Sequence, residues 1–235
     1  MHCTVKRVRF DILAFVAVIV FLITLPAYFK KKKKTEKHRF NYIALGDSYT
    51  IGESVGEDER FPVQLVKRLM ADSIDISDPV IIAKTGWTTD ELTAAINEKN
   101  VKDTFNIVTL LIGVNNQYRG RSAEDYRGEL KKLIETALKF AGGKKENVFI
   151  ISIPDWGITP FAEGRDRKQI AEEIDLYNKV KKEESDNYGI RFYDITEISR
   201  DPDPGLIAAD GLHPSAKMYN LWVDKFYDDV KSVLR

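Results

Sequence analysis

Tyr42-Ile43-Ala44-Leu45 is an apolar run that stops on Gly46-Asp47-Ser48-Tyr49 and hands over to a polar, glycine-bearing loop. A short buried strand that ends in a tight turn sets the next side chain at the carboxyl edge of a sheet, where open α/β folds bind their ligands. Ser48 is the residue so placed. A serine hydroxyl is a weak nucleophile until a base takes its proton, so this corner asks for a histidine, an acid to orient it and donors for an oxyanion.

The rest of the chain alternates in the same manner. Residues 79–83, 105–112, 148–153 and 190–195 are short apolar runs, and the second of these suits a central strand buried on both faces. Helical patterns fall between them. Pro62 fits the first turn of a helix ending near Met70, and Thr88 or Thr89 caps another that runs to about Lys99. Residues 123–141 carry Tyr126, Leu130, Leu133, Ile134, Ala137 and Leu138 on one stripe before Gly142-Gly143 ends the helix. Residues 167–188 read as a further helix, and 217–234 as a terminal one with Tyr219, Trp222, Val223, Phe226 and Val230 inward. Five strands alternating with helices predict an α/β fold, a parallel sheet covered on both faces and joined by right-handed crossovers. The charged runs 144–146 and 181–184 read as solvated faces.

At 235 residues and 43% hydrophobic, the chain can build one full-sized domain, and no Pro/Gly/Ser linker divides it. The expected division is a segment 1–40 ahead of a domain 41–235. The single cysteine, Cys3, lies before the domain and can form no disulfide within it; no Cys/His cluster suggests a metal, and no cofactor is implied. Residues 1–40 hold ten Lys and Arg against two acids, which leaves 26 against 34 for residues 41–235. An acidic domain repels phosphate backbones, so nucleic acid is not an expected partner.

From Ile12 to Phe29 the chain is apolar except for Thr24 and Pro26, with Lys6, Arg7 and Arg9 before it and Lys30 through Lys34 after it. Eighteen residues at ~1.5 Å each reach about 27 Å, close to the hydrocarbon thickness of a bilayer. One anchoring helix is the expectation, with a cleaved signal peptide as the alternative. The basic flank after the segment favours a cytoplasmic domain, whereas a basic start ahead of an apolar core favours export. Export is the reading adopted, with Lys30 to Lys34 as a stop signal or a tether to anionic lipid.

Of three histidines, His2 and His38 fall in the tail and at its juncture, so a base for Ser48 within the domain is His213. Asp210, three residues earlier, is close enough in one loop to accept from Nδ1–H and stabilise the imidazolium. Candidate oxyanion donors at the strand-end corners are the Ser48 amide, the Gly86 amide and the Asn115 side chain. Trp87, Asn116, Tyr118, Arg119, Trp156 and Phe161 also lie just beyond strand ends and are candidate pocket residues. Asp47 reads as structural, holding the Ser48 turn.

Gly46-Asp47-Ser48-Tyr49, Gly86, Gly113-x-Asn115-Asn116 and Asp210-x-x-His213 together resemble, in order and spacing, the four blocks of the SGNH or GDSL-type serine hydrolases. Tyr49 stands where leucine is commoner, and Asn116 where the family usually has aspartate. The resemblance implies a three-layer α/β/α sandwich of flavodoxin-like type, with Ser48 as nucleophile, His213 as base, Asp210 as its partner, and Ser48, Gly86 and Asn115 as oxyanion hole. It implies a metal-independent carboxylic ester hydrolase, of a family that acts on lysophospholipids, thioesters and acetylated sugars; short acyl esters such as acetylated sugars are preferred over lysophospholipid-type esters, because the chain has no long apolar insertion to shelter a fatty tail. The competing class is a membrane-tethered binding module that keeps the fold without the reaction. A flavodoxin-like nucleotide binder is disfavoured, since no Gly-rich phosphate loop follows any strand.

Overall fold

The computed structural model describes residues 39–235, so the expected anchor between Ile12 and Phe29 and the lysine run lie outside the described residues. Among the described residues no helix is long and apolar enough to cross a membrane. The strands are β1 (Tyr42–Gly46), β2 (Val80–Ala83), β3 (Ile107–Leu111), β4 (Val148–Ile151) and β5 (Arg191–Tyr193). They form one sheet in the order β2-β1-β3-β4-β5, parallel throughout. This is the flavodoxin-like order expected.

The helices are α1 (Ser48–Ile51), α2 (Phe61–Ala71), α3 (Thr89–Lys99), α4 (Val114–Tyr118), α5 (Ala123–Phe140), α6 (Arg167–Tyr188), α7 (Thr196–Ser199) and α8 (Ala216–Val233). The chain steps one way from β1 to β2, then returns past β1 to β3 and moves outward. Right-handed crossovers then put α2 with α8 on one face and α3, α5 and α6 on the other. The packing agrees: α2 lies on α8, and α5 lies between α3 and α6.

Both central strands are wholly buried, as apolar runs covered on two faces must be. The Tyr42 hydroxyl and Thr109 Oγ1 meet at 2.7 Å, so two polar groups inside this core satisfy each other. The helical stripes read from the sequence also hold. Tyr126, Leu130, Leu133, Ile134 and Ala137 of α5, and Tyr219, Trp222, Val223, Phe226 and Val230 of α8, are buried, and Leu138 packs at the core's margin. The strand at 79–83 is an edge strand, with Val80 42% exposed.

Two readings need correction. The run 181–184 is not a solvated face: Lys181 and Glu184 are buried. Helix α6 crosses the ends of β4, so Lys181 Nζ donates to the Ile151 carbonyl at 2.8 Å, while Glu184 binds Arg127 at 2.6 Å. The polar stretch after Ser48 and the Asn115 corner are not plain loops either, but the short helices α1 and α4. One-turn helices carry no periodicity that a sequence pattern can register.

Two glycines set the corners at the ends of β1 and β3. A Cβ on Gly46 would lie 2.4 Å from the Leu111 carbonyl oxygen, a backbone atom that cannot swing aside. Gly113 has φ 127°, and a Cβ there would meet the Tyr126 ring at 2.7 Å. Gly46→Ala should therefore push β1 from β3 and cost about 1–3 kcal/mol or more. A urea melt checks this by a lower midpoint at unchanged slope.

Candidate active site

The corners after β1, β2, β3 and β4 and the loop before α8 meet on one edge of the sheet, where β1 and β3 diverge in connection. They surround a cavity of about 180 Å³ lined by Ser48, Tyr49, Thr85, Gly86, Val114, Asn115, Tyr118, Trp156, Phe161, Leu212 and His213. The expected nucleophile, base and oxyanion donors are thus brought to one place from four separate segments.

Ser48 opens α1 and is 5% exposed. Asp47 caps this turn, its Oδ1 accepting from the Tyr49 amide at 3.1 Å, which bears out its structural reading. Burial pushes the Asp47 carboxyl above the usual carboxylate range, against the Tyr49 amide and the Lys181 charge, which pull it down. The Ser48 amide is the first of its helix, and such amides have no intrahelical acceptor.

His213 is 8% exposed and presents Nδ1 to Asp210 Oδ2 at 2.5 Å. A proton donated there leaves Nε2 as the basic nitrogen. The edge of the Tyr49 ring system packs against the imidazole, with centroids 5.8 Å apart at 64°. Asp210 Oδ1 accepts from the Leu212 and His213 amides, both at 3.0 Å, and Oδ2 also accepts from Ser54 Oγ at 2.6 Å. The loop itself is framed by Ala208 N to His213 O at 2.8 Å and Phe161 N to Gly211 O at 3.0 Å.

On the opposite wall, Asn115 Nδ2 donates to the Trp87 carbonyl at 3.0 Å, which leaves its second amide hydrogen for the cavity it lines. Arg119 holds the Gly86 corner through a 2.7 Å bond to the Gly86 carbonyl and pairs with Glu91 at 3.3 Å. Tyr118, Trp156 and Phe161 form an aromatic wall, with Arg165 lying about 5 Å above each ring. Trp156 Nε1 donates to Gln117 Oε1 at 2.9 Å, which fixes the indole.

Three candidate pocket residues do not line the cavity: Arg119, which holds the Gly86 corner, Asn116 and Trp87. Asn116 is fully buried and does not line the cavity. Its Oδ1 accepts from the Thr89 amide at 3.1 Å, and its Nδ2 donates to Thr89 Oγ1 at 2.7 Å and to Glu129 at 3.3 Å, so it ties the β3 corner to α3. Trp87 contributes its carbonyl to Asn115, and its ring packs at the edge of the core. Sequence reasoning missed Ser54, whose link to Asp210 spans 156 residues and has no local signal. Val114 and Leu212 were also missed, although both stand beside residues that were named.

Partial burial works against the Asp210 charge, but hydrogen bonds from Ser54, the His213 ring and the His213 and Leu212 amides outweigh it and hold the carboxyl well below its usual range. A depressed carboxyl contributes stability that is complete above its unfolded value of about 4 and is lost as pH falls toward the folded value. Asp210→Asn should be less stable than the wild type at pH 7, and the two should converge as the solution is acidified below about pH 4. Urea unfolding across that range checks it.

A sequence model of the GDSL-like lipase/acylhydrolase family matches residues 44–221. No curated protein sequence matches the chain. Among solved structures, TesA is 17% identical with a TM-score of 0.64, over 82% of this chain and 99% of its own. Axe2, an acetylxylan esterase from Geobacillus stearothermophilus, is 19% identical with a TM-score of 0.64, over 82% and 94%. The psychrotrophic esterase EstA from Pseudoalteromonas sp., in a structure inhibited by monoethylphosphonate, is 18% identical with a TM-score of 0.59, over 82% and 97%. These likenesses show a shared fold, and with a family match spanning most of the domain, the chain belongs to the GDSL-like lipase/acylhydrolase family, enzymes of the esterase and lipase type.

Proposed function

We propose that the chain is a serine carboxylic ester hydrolase that works through an acyl-enzyme. The observation that carries this is that His213, paired through Nδ1 with Asp210, lines the same cavity as Ser48. Ser48 Oγ attacks the ester carbonyl carbon while its proton passes to His213 Nε2, and Asp210 stabilises the imidazolium that forms. The tetrahedral oxyanion accepts from the Ser48 and Gly86 amides and from Asn115 Nδ2. Collapse expels the alcohol, which takes the proton from His213. Water, giving its proton to the same nitrogen, then attacks the acyl carbon and releases the acid.

A non-catalytic binding module would have no use for a carboxylate-paired histidine in the cavity that a serine lines. The acyl group is short in this reading, because about 180 Å³ is well under the roughly 300–1,000 Å³ of pockets that enclose drug-sized ligands. A second cavity of about 290 Å³ shares Tyr118 and Trp156 with the first and is lined by Gln117, Arg165, Asp166, Gln169 and Glu173. That polar lining suits a hydroxyl-rich alcohol, so acetylated sugars are favoured over lysophospholipid-type esters.

Ser48→Ala should abolish turnover of a short-chain p-nitrophenyl ester, and labelling by a fluorophosphonate, without loss of fold. Retained turnover sinks the assignment. Acetylated sugars should outpace long-chain lysophospholipids in kcat/KM on the wild type; the reverse ranking overturns the substrate reading.

The run from Ile12 to Phe29 supports a membrane anchor, and the basic start ahead of it supports a domain outside the cytoplasm. External protease added to intact cells should then release the domain; protection of the domain contradicts the orientation.

A further inference from the structure

We infer that Ser54 is a positioning residue for the acid–base pair: its hydroxyl fixes the Asp210 carboxylate, and through it the His213 ring, relative to Ser48. The inference rests on the roles proposed for Ser48, His213 and Asp210. Three observations carry it.

Ser54 Oγ donates to Asp210 Oδ2 at 2.6 Å, the same oxygen that meets His213 Nδ1 at 2.5 Å. With the Leu212 and His213 amides on Oδ1, the carboxylate receives four donors and has no freedom to rotate about its own axis. Ser54 supplies the one donor that comes from outside the Asp210 loop.

Its own backbone is tied to the nucleophile. The Gly52 and Glu53 amides both donate to the Ser48 carbonyl at 3.0 Å, so Ser54 follows directly on the turn that Ser48 opens. A path of six residues and one hydrogen bond thus joins the attacking serine to the acid that lies 162 positions after it in the chain. Glu53 also bonds Thr85, the neighbour of Gly86, so the same short segment reaches the oxyanion corner.

Ser54 adopts φ 66°, a left-handed conformation that glycine holds without strain and a serine does not. The hydroxyl is therefore carried at a position where the backbone by itself favours glycine. Ser54 does not line the cavity, so it touches no substrate and acts only through Asp210.

Ser54→Gly is the decisive variant, because it removes the hydroxyl and relieves the backbone at once. Its thermal midpoint should equal or exceed that of the wild type. Its kcat on a short-chain p-nitrophenyl ester should fall about tenfold at little-changed KM, the usual scale for losing a hydrogen bond to a charged group. Ser54→Ala, which also lacks the hydroxyl, should show the same fall in kcat at little-changed KM. Wild-type kcat in Ser54→Gly, or a loss that appears in KM and not in kcat, overturns the inference. Ser48→Ala in the same series separates the two failures, since turnover by that variant defeats the reading on which this one depends.

Discussion

The approach of β1 to β3 at their carboxyl ends is the constraint from which the site follows. Gly46 pairs with Leu111 in the ladder, and the Leu111 carbonyl occupies the space that any side chain at position 46 would need. With the strands this close, the chain can leave β1 only by turning sharply upward, and Asp47 holds that turn by capping α1. Ser48 is thereby delivered to the sheet edge beside the Gly113 corner, which is itself packed against Tyr126. Ser48 and Asn115 reach the same cavity because two adjacent strands end together.

The loops above this edge are tied to one another by polar bonds between segments. Arg119 and Glu91 secure Gly86, the Trp87 carbonyl secures Asn115, and the Phe161 amide secures Gly211 ahead of His213. The first two bonds join the Gly86 and Asn115 corners, and the third ties the His213 loop to the aromatic wall. Such bonds contribute roughly 1 kcal/mol apiece to stability, so they add little to the fold as a whole. Their effect is geometric, since the donors of an oxyanion hole act by standing in place before the charge develops.

The sheet, the helix stripes and the strand-end corners that line the cavity were legible because each depends on short-range pattern. A buried strand shows as an apolar run, an amphipathic helix as a stripe, and a strand-end corner as Gly-Asp-Ser or Gly-x-Asn. Asn116 was misplaced because a residue beside a corner can face the cavity or the sheet, and its neighbour Asn115 takes the first option. Lys181 was misread because a charged run on a long helix looks solvated until the helix is laid over the end of a strand. Ser54 was invisible because nothing near it in sequence indicates Asp210, and its left-handed φ appears only in three dimensions.

Lys181 also closes the end of β4. A parallel sheet ends in carbonyls and amides that the ladder no longer satisfies, and burying them unpaired is costly. Helix α6 supplies partners from positions one turn apart: Asn178 accepts from Ile153 N at 2.7 Å and donates to Ile153 O at 2.8 Å, and Lys181 donates to Ile151 O. Burial lowers the Lys181 ammonium from its ordinary value, and the charge of Asp47 opposes that fall. A buried cation and a buried acid thus offset each other under the corner that carries Ser48. The strand ends of β4 are closed by side chains that hydrogen-bond, which leaves the Trp156 loop a fixed base. On that base Trp156, Tyr118 and Phe161 stand as one wall of the cavity.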